Sequence, residues 1–301
     1  MTLRRQLIAL LLLFATAPMA TLTAAPPPPV LGALANATYP GIEEQPVTLH
    51  DGIWEGEPYV EGGASRPRVV LVPGFRIVGD LDGDGASEAV VMLAATGGGS
   101  GSFKHLAVAS RAANGDATVR AVAPLGDRVQ VRYARVESGA LLIDTVEAGD
   151  GDAACCPGTK RLRRWRWSVD ALDEGPATET GRLGPEDLGG GITWRLTHLD
   201  LDAAIGGTYN PPTLAYDEGK LSGFAGCNRY FGSVAEGAFP GGLETGPLGT
   251  TRRACDPDAM ALESDYLRHL DTVFRFAFQG GRLAMNYRDG ERVGTMLFVA
   301  E

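Results

Sequence analysis

LSGFAGCNRYFGSV, from Leu221 to Val234, sets a Cys-Asn pair behind a glycine and ahead of an alternating run. Asn228 in that stretch is read as bonding backbone groups in a tight turn in preference to doing chemistry. LGTTRRAC (Leu248–Cys255) follows, and a helix start comes directly after it. Asp256 is a suitable N-cap, Pro257 suits the first helical position, and Asp258 complements the N-terminal dipole. Met260, Glu263, Tyr266, Leu267, Leu270 and Val273 then recur at helical spacing. Glu263 is the charged member of that stripe, fitted to pair with an arginine or to cap backbone groups. RFAFQGGRLAMNY (Arg275–Tyr287) reads as a hairpin turning at Gly280-Gly281, and VGTMLFV (Val293–Val299) as a closing strand.

With ITWRL (Ile192–Leu196) supplying an opening W-x-L, these motifs resemble the META domain, the HslJ-like heat-shock family, over 192–301. The matching elements are the G-x-x-G-C-N-R-Y-x-G core, the T-R-x-A-C element and the helix members. Arg253 stands where methionine is usual. The resemblance implies a curved antiparallel sheet with one helix packed across it. It also implies a non-catalytic envelope module; the family is linked with heat shock, resistance to novobiocin and, in some members, virulence or motility. Cys227 and Cys255 fall at its two strongest motifs. A disulfide between them is preferred to Cys227 as a nucleophile with His198 or His269 as base.

Upstream, Asp170–Gly191 is rich in Gly, Pro and acids and lacks apolar periodicity. It is taken as a linker at 171–191. Before it, RVVLV (Arg68–Val72), EAVVML (Glu88–Leu93), HLAVA (His105–Ala109), RVQVRYARV (Arg128–Val136) and ALLIDTV (Ala140–Val146) read as strands punctuated by turn residues. The expected fold class is mainly β, or α+β. An N-terminal β-rich domain (41–170) precedes a META-type antiparallel sheet with one packed helix (192–301). GGGSGSF (Gly97–Phe103) lacks the lysine of a phosphate loop and the final glycine of G-x-S-x-G, so it is expected as a flexible hairpin.

GDLDGDGASEAV (Gly79–Val90) places Asp80, Asp82 and Asp84 at positions 1, 3 and 5 of a loop, with Gly85 at 6 and Glu88 at 9. Alternate carboxylates on a tight turn can converge on one hard cation, and the Ala86 carbonyl can add a ligand. A strand rather than a helix follows, so the loop resembles the calcium loops of FG-GAP and related β-repeat proteins. The expected metal set is Asp80, Asp82, Asp84, Ala86 and Glu88, holding structural calcium in preference to a merely solvated acidic turn.

In KRLRRWRWSV (Lys160–Val169), Trp165, Trp167 and Val169 share one strand face while Arg164, Arg166 and Ser168 share the other. An amphipathic strand with its aromatics in the core is preferred to an anionic-glycan strip. Cys155 and Cys156 are adjacent, leaving a vicinal disulfide, separate partners or reduced thiols open.

The N-terminus carries Arg4-Arg5, an apolar run from Leu7 to Ala15 and then small residues. It is read as a signal peptide over 1–25, followed by a Pro-rich spacer over 26–40. Periplasmic or secreted localisation is expected, with no lipid anchor and no membrane-spanning segment. Removing Arg4 and Arg5 with the leader takes the net charge from −10 to −12. That charge argues against general nucleic-acid binding. The expected partner is an unidentified envelope protein or cell-wall component. Behind this reading come calcium-dependent recognition of a glycan or protein, and then a hydrolase or redox enzyme using Ser100, Cys227 or Cys155-Cys156. None of the four histidines (His50, His105, His198, His269) lies in a catalytic motif.

Overall fold

The computed structural model describes residues 27–153, 155–168, 171–201, 203–206 and 210–301. The expected leader, 1–25, and Val169 lie outside them. Among the described residues the chain is mostly β, with one helix of substantial length, Pro257–Leu270.

Among the described residues the N-terminal half holds two five-stranded antiparallel sheets and a two-stranded ribbon, Thr38–Tyr39 with Val47–Thr48. The first runs in the order Ile53–Glu55, Arg68–Gly79, Glu88–Thr96, Phe103–Arg111, Ala117–Asp127, a meander after its first strand. The second places Ala171–Glu174 beside Thr159–Ser168, then Ala140–Glu147, then Gln130–Glu137. A core fills the space between them, with Val90, Met92, Leu106 and Val108 from the first sheet facing Leu141, Ile143, Trp165 and Trp167 from the second. The two tryptophans are thus core residues, as the alternation of their strand required.

The first sheet is apolar on its outer face too, which is why Glu88–Thr96 reads as a nearly unbroken apolar run. Leu34, Ala37, Tyr39, Val47 and Leu49 cover that face. Residues 31–39, within the stretch read as a spacer, therefore belong to a packed layer: the outer face of the sheet needs a cover. Likewise 171–191 carries two strands, Ala171–Glu174 and Thr178–Arg182, both paired with Thr159–Ser168. Backbone pairing, which needs no apolar periodicity, orders this segment. Leu183 and Leu188 then enter the second core.

In the C-terminal half the strands run Leu243–Thr245, Arg229–Glu236, Lys220–Phe224, Thr213–Asp217, Thr193–Asp200, Arg292–Ala300, Arg282–Asp289, Val273–Gln279. The sheet curls until its ends meet, where the Phe276 N–H donates to the Gly241 carbonyl at 2.8 Å. The helix packs into this curl through Tyr266 and Leu270. Asp256 caps it by accepting the Ala259 N–H at 3.1 Å, and Pro257 holds the first position. Met260, expected on the buried stripe, is 45% exposed, while Ala259 and His269 are buried. The Tyr266 hydroxyl bonds the Tyr230 hydroxyl at 2.9 Å, and this anchor sets the rotation of the helix.

Gly280 and Gly281, both at positive φ, turn the expected hairpin. Its tip docks on the N-terminal half: the Gly281 N–H donates to the Val131 carbonyl at 2.9 Å and the Phe278 N–H to Gln130 Oε1 at 2.9 Å. A Cβ on Gly280 would lie 3.1 Å from Val72 and 3.2 Å from Phe75, a tight fit that adds to the preference for glycine set by its positive φ.

Candidate functional site

The acidic loop connects Arg68–Gly79 to Glu88–Thr96, closed by the Gly79–Glu88 pair. Gly83 and Gly85, both at positive φ, let it turn. Carboxylate oxygens of Asp80, Asp82 and Glu88 lie within 4.8 Å of one another. Much of this acceptor capacity is already used within the loop. Asp80 accepts the N–H groups of Gly83 (2.6 Å) and Gly85 (3.1 Å), and Asp82 that of Asp84 (3.1 Å). Asp84 lies outside the triplet and accepts the Ala86 N–H at 2.7 Å. Glu88 is buried and accepts the Leu81 N–H at 3.0 Å. Burial pushes its carboxyl above the usual range, the Leu81 N–H opposes that, and the charges of Asp82, Asp84 and Asp80 add to it. Three converging carboxylates, one of them buried, are a donor set suited to a hard cation.

At the other candidate position, Cys227 and Cys255 form a disulfide with Cα atoms 5.9 Å apart. A hydrogen-bond network surrounds it. Glu263 accepts the N–H groups of Cys227 (3.2 Å) and Asn228 (2.5 Å) and the Asn228 side-chain amide (3.0 Å). Asn228 accepts the Arg253 N–H at 2.7 Å and the Thr251 hydroxyl at 2.9 Å, and donates to the Arg253 carbonyl at 3.1 Å. One helix carboxylate and one buried amide thereby lock the Cys-Asn turn to the Thr-Arg-Arg segment. Of the two roles open to Glu263, backbone capping is the one it takes. Residues 186–298 match the META domain family.

The META domain begins at 186 in that match, so the turn Pro185–Leu188 belongs with it. Arg253 contributes backbone groups alone to the Asn228 bonds, so the absence of methionine leaves that network intact. No curated protein matches the chain. A protein from Burkholderia xenovorans solved by NMR is similar to it at 27% identity, over 36% of this chain and 81% of that one, with a TM-score of 0.29.

Two further features sit beside the META domain. Cys155 and Cys156 form a vicinal disulfide, and Arg275 of the META domain donates to the Cys155 carbonyl at 3.1 Å. Asp187, with a 5% exposed side chain, bonds Arg132 at 2.9 Å and Lys160 at 2.8 Å, joining the first turn of the META domain to two strands of the N-terminal half. Sequence reasoning missed this triad because its members come from segments with no common spacing.

The remaining candidates have structural partners. Ser100 lies in the Glu88–Thr96 to Phe103–Arg111 connection and accepts from Arg128 at 3.2 Å. His269 is buried and stacks on Tyr287 at 3.9 Å, and burial, then Arg268, lowers its pKa. The His198 ring contacts the Thr197 hydroxyl at 3.0 Å. Arg163, inside the tryptophan strand, is buried against Glu174 (2.5 and 2.7 Å) and the Leu125 carbonyl (2.6 Å). No described helix is long and apolar enough to cross a membrane.

Proposed function

We propose that this chain is an exported, non-catalytic META-domain protein of the HslJ-like kind. It binds an envelope protein or cell-wall component and serves in envelope stress or drug resistance. The observation that carries the reading is the META match over 186–298, with a disulfide at its two strongest motifs. A disulfide belongs to an oxidising compartment, in keeping with the leader-like N-terminus. A cysteine held in a disulfide has no thiolate to attack with, which weighs against the thiol-enzyme reading.

A second reading, calcium-dependent recognition through an FG-GAP-like loop, draws on the convergence of Asp80, Asp82 and Glu88. In it calcium is a structural staple for the β-rich half.

Fractionation of cells expressing the full chain, followed by crosslinking of intact cells in calcium and in chelator, tests both. Export predicts recovery from the envelope fraction with an N-terminus trimmed between Ala17 and Ala25, crosslinked to one envelope component. An intact N-terminus in the cytosol sinks the export reading. A crosslink lost in chelator moves binding to the calcium-dependent reading.

A further inference from the structure

The docked Gly280-Gly281 hairpin leaves a cleft of about 390 Å³ against the first sheet. Its floor is hydrocarbon, from Val70, Val72, Met92 and Ala94 of that sheet and from Ala277 and Phe278 of the META domain. Lys104, Arg128, Arg275 and Arg282 also line it, and among the described residues no carboxylate does. This cationic lining occurs in a chain of net charge −10.

Arg128 is matched by Asp127 at 2.8 Å. The other three cations make no ion pair with a described residue. Lys104 donates to the Ser102 hydroxyl at 2.7 Å and Arg275 to the Cys155 carbonyl at 3.1 Å. The Nε atoms of Arg275 and Arg282 are buried without a hydrogen-bond partner. Burial lowers the pKa of Arg275 and Arg282, and also that of Lys104, where the charge of Asp127 opposes the shift.

Partly buried cations without an anion cost free energy, and so does apolar surface left to water. One ligand relieves both if it carries an oxyanion on a hydrocarbon chain. Guanidinium forks suit carboxylate and phosphate. A sugar fits poorly, because its hydroxyls would lie against Val72, Met92 and Phe278, and Gln130 Oε1 is already used by the Phe278 N–H. The cleft also falls within the roughly 300–1,000 Å³ of ordinary small-molecule sites.

The geometry points to this cleft as a binding site for a single-chain amphiphile with an oxyanion head. Arg275, Arg282 and Lys104 hold the head, and Val72, Met92 and Phe278 hold the chain. Strands of the N-terminal half and both strands of the META hairpin build the site, so it exists only when the halves are docked. It depends neither on the calcium loop nor on export.

Calorimetric titration of the full chain with laurate, dodecyl phosphate and dodecyltrimethylammonium, each below its micellar concentration, and with dodecanol below its solubility limit, tests the assignment. One equivalent of laurate or of dodecyl phosphate is expected to bind, and the tighter of the two identifies the head as carboxylate or phosphate. Dodecanol and the cation should bind at least about tenfold more weakly, the scale of one charge-assisted hydrogen bond. The double variant Arg275→Gln/Arg282→Gln should lose about tenfold or more in anion affinity. Lys104→Gln, on a strand of the N-terminal half, should weaken the anions in the same direction and leave dodecanol unchanged, which covers the case in which the arginine pair is needed for folding. Equal binding of dodecanol overturns recognition of the head. Failure of both anions to bind at one equivalent overturns the site.

Discussion

The Glu263 carboxylate accepts the Asn228 backbone N–H at 2.5 Å and its side-chain amide at 3.0 Å, so the META helix holds the turn that carries Cys227. Glu263→Ala leaves these donors without an acceptor and should cost about 1–3 kcal/mol, the range for a lost buried partner. Glu263→Gln keeps one acceptor oxygen and should cost less. Denaturant unfolding of both variants checks the order.

The Cys227–Cys255 disulfide closes a loop with a sequence separation of 28 residues. Chain entropy gives it about 3–4 kcal/mol of stabilisation. Cys227→Ser/Cys255→Ser should lower the unfolding free energy by about that amount. Mass mapping of unreduced protein should return a peptide joining the two cysteines. Free thiols at both positions would refute the bond.

Burial raises the Glu88 carboxyl, so the folded protein holds that proton more tightly than the unfolded chain does. Its contribution is complete below the unfolded carboxylate range and is lost as pH rises through the folded value. At neutral pH in chelator, Glu88→Gln should therefore melt above the wild type. Millimolar calcium should raise the wild-type melting temperature, and Asp82→Ala should abolish that rise. Identical wild-type melts in calcium and chelator would remove the metal reading.

The hydrogen bond from Arg182 at 2.5 Å, joined by those from the Gly149 and Gly158 N–H groups, holds the Asp152 carboxyl down at about 2. A depressed carboxyl stabilises the fold above its unfolded value, and that stability is lost as pH falls toward 2. Arg182→Ala should move the Asp152 titration upward, read by carboxyl-carbon NMR. An unmoved titration would show that the backbone N–H groups alone set it.

Asp187 is the shared anion of Arg132 and Lys160. Asp187→Ala leaves Arg132 to Asp144 alone, at 3.3 Å, and takes from Lys160 its ion pair, so it should destabilise the chain by about 1–3 kcal/mol, the range for a lost buried partner. The loss should appear where the halves meet, as faster hydrogen exchange at Gly281 and Phe278. Unchanged exchange there would separate the triad from docking.

Local pattern alone was enough for much of this molecule. Alternation in Arg128–Val136 and the apolar block in Ala140–Val146 marked strands, Asp256-Pro257 marked the helix start, and Gly280-Gly281 marked a hairpin, because these depend on residues close together in the chain. The same motifs located the META domain and brought Cys227 and Cys255 forward as a pair. Tertiary structure decided what the chain meets at a distance. Tyr266 meeting Tyr230 rotated the helix and left Met260 outside. Backbone pairing with Thr159–Ser168 ordered 171–182 without any apolar rhythm. Docking of the glycine hairpin gathered Lys104, Arg275 and Arg282 around one cleft. Periodicity records which face of a segment is apolar, but which distant face it is buried against depends on shape and charge matched only once the chain has folded.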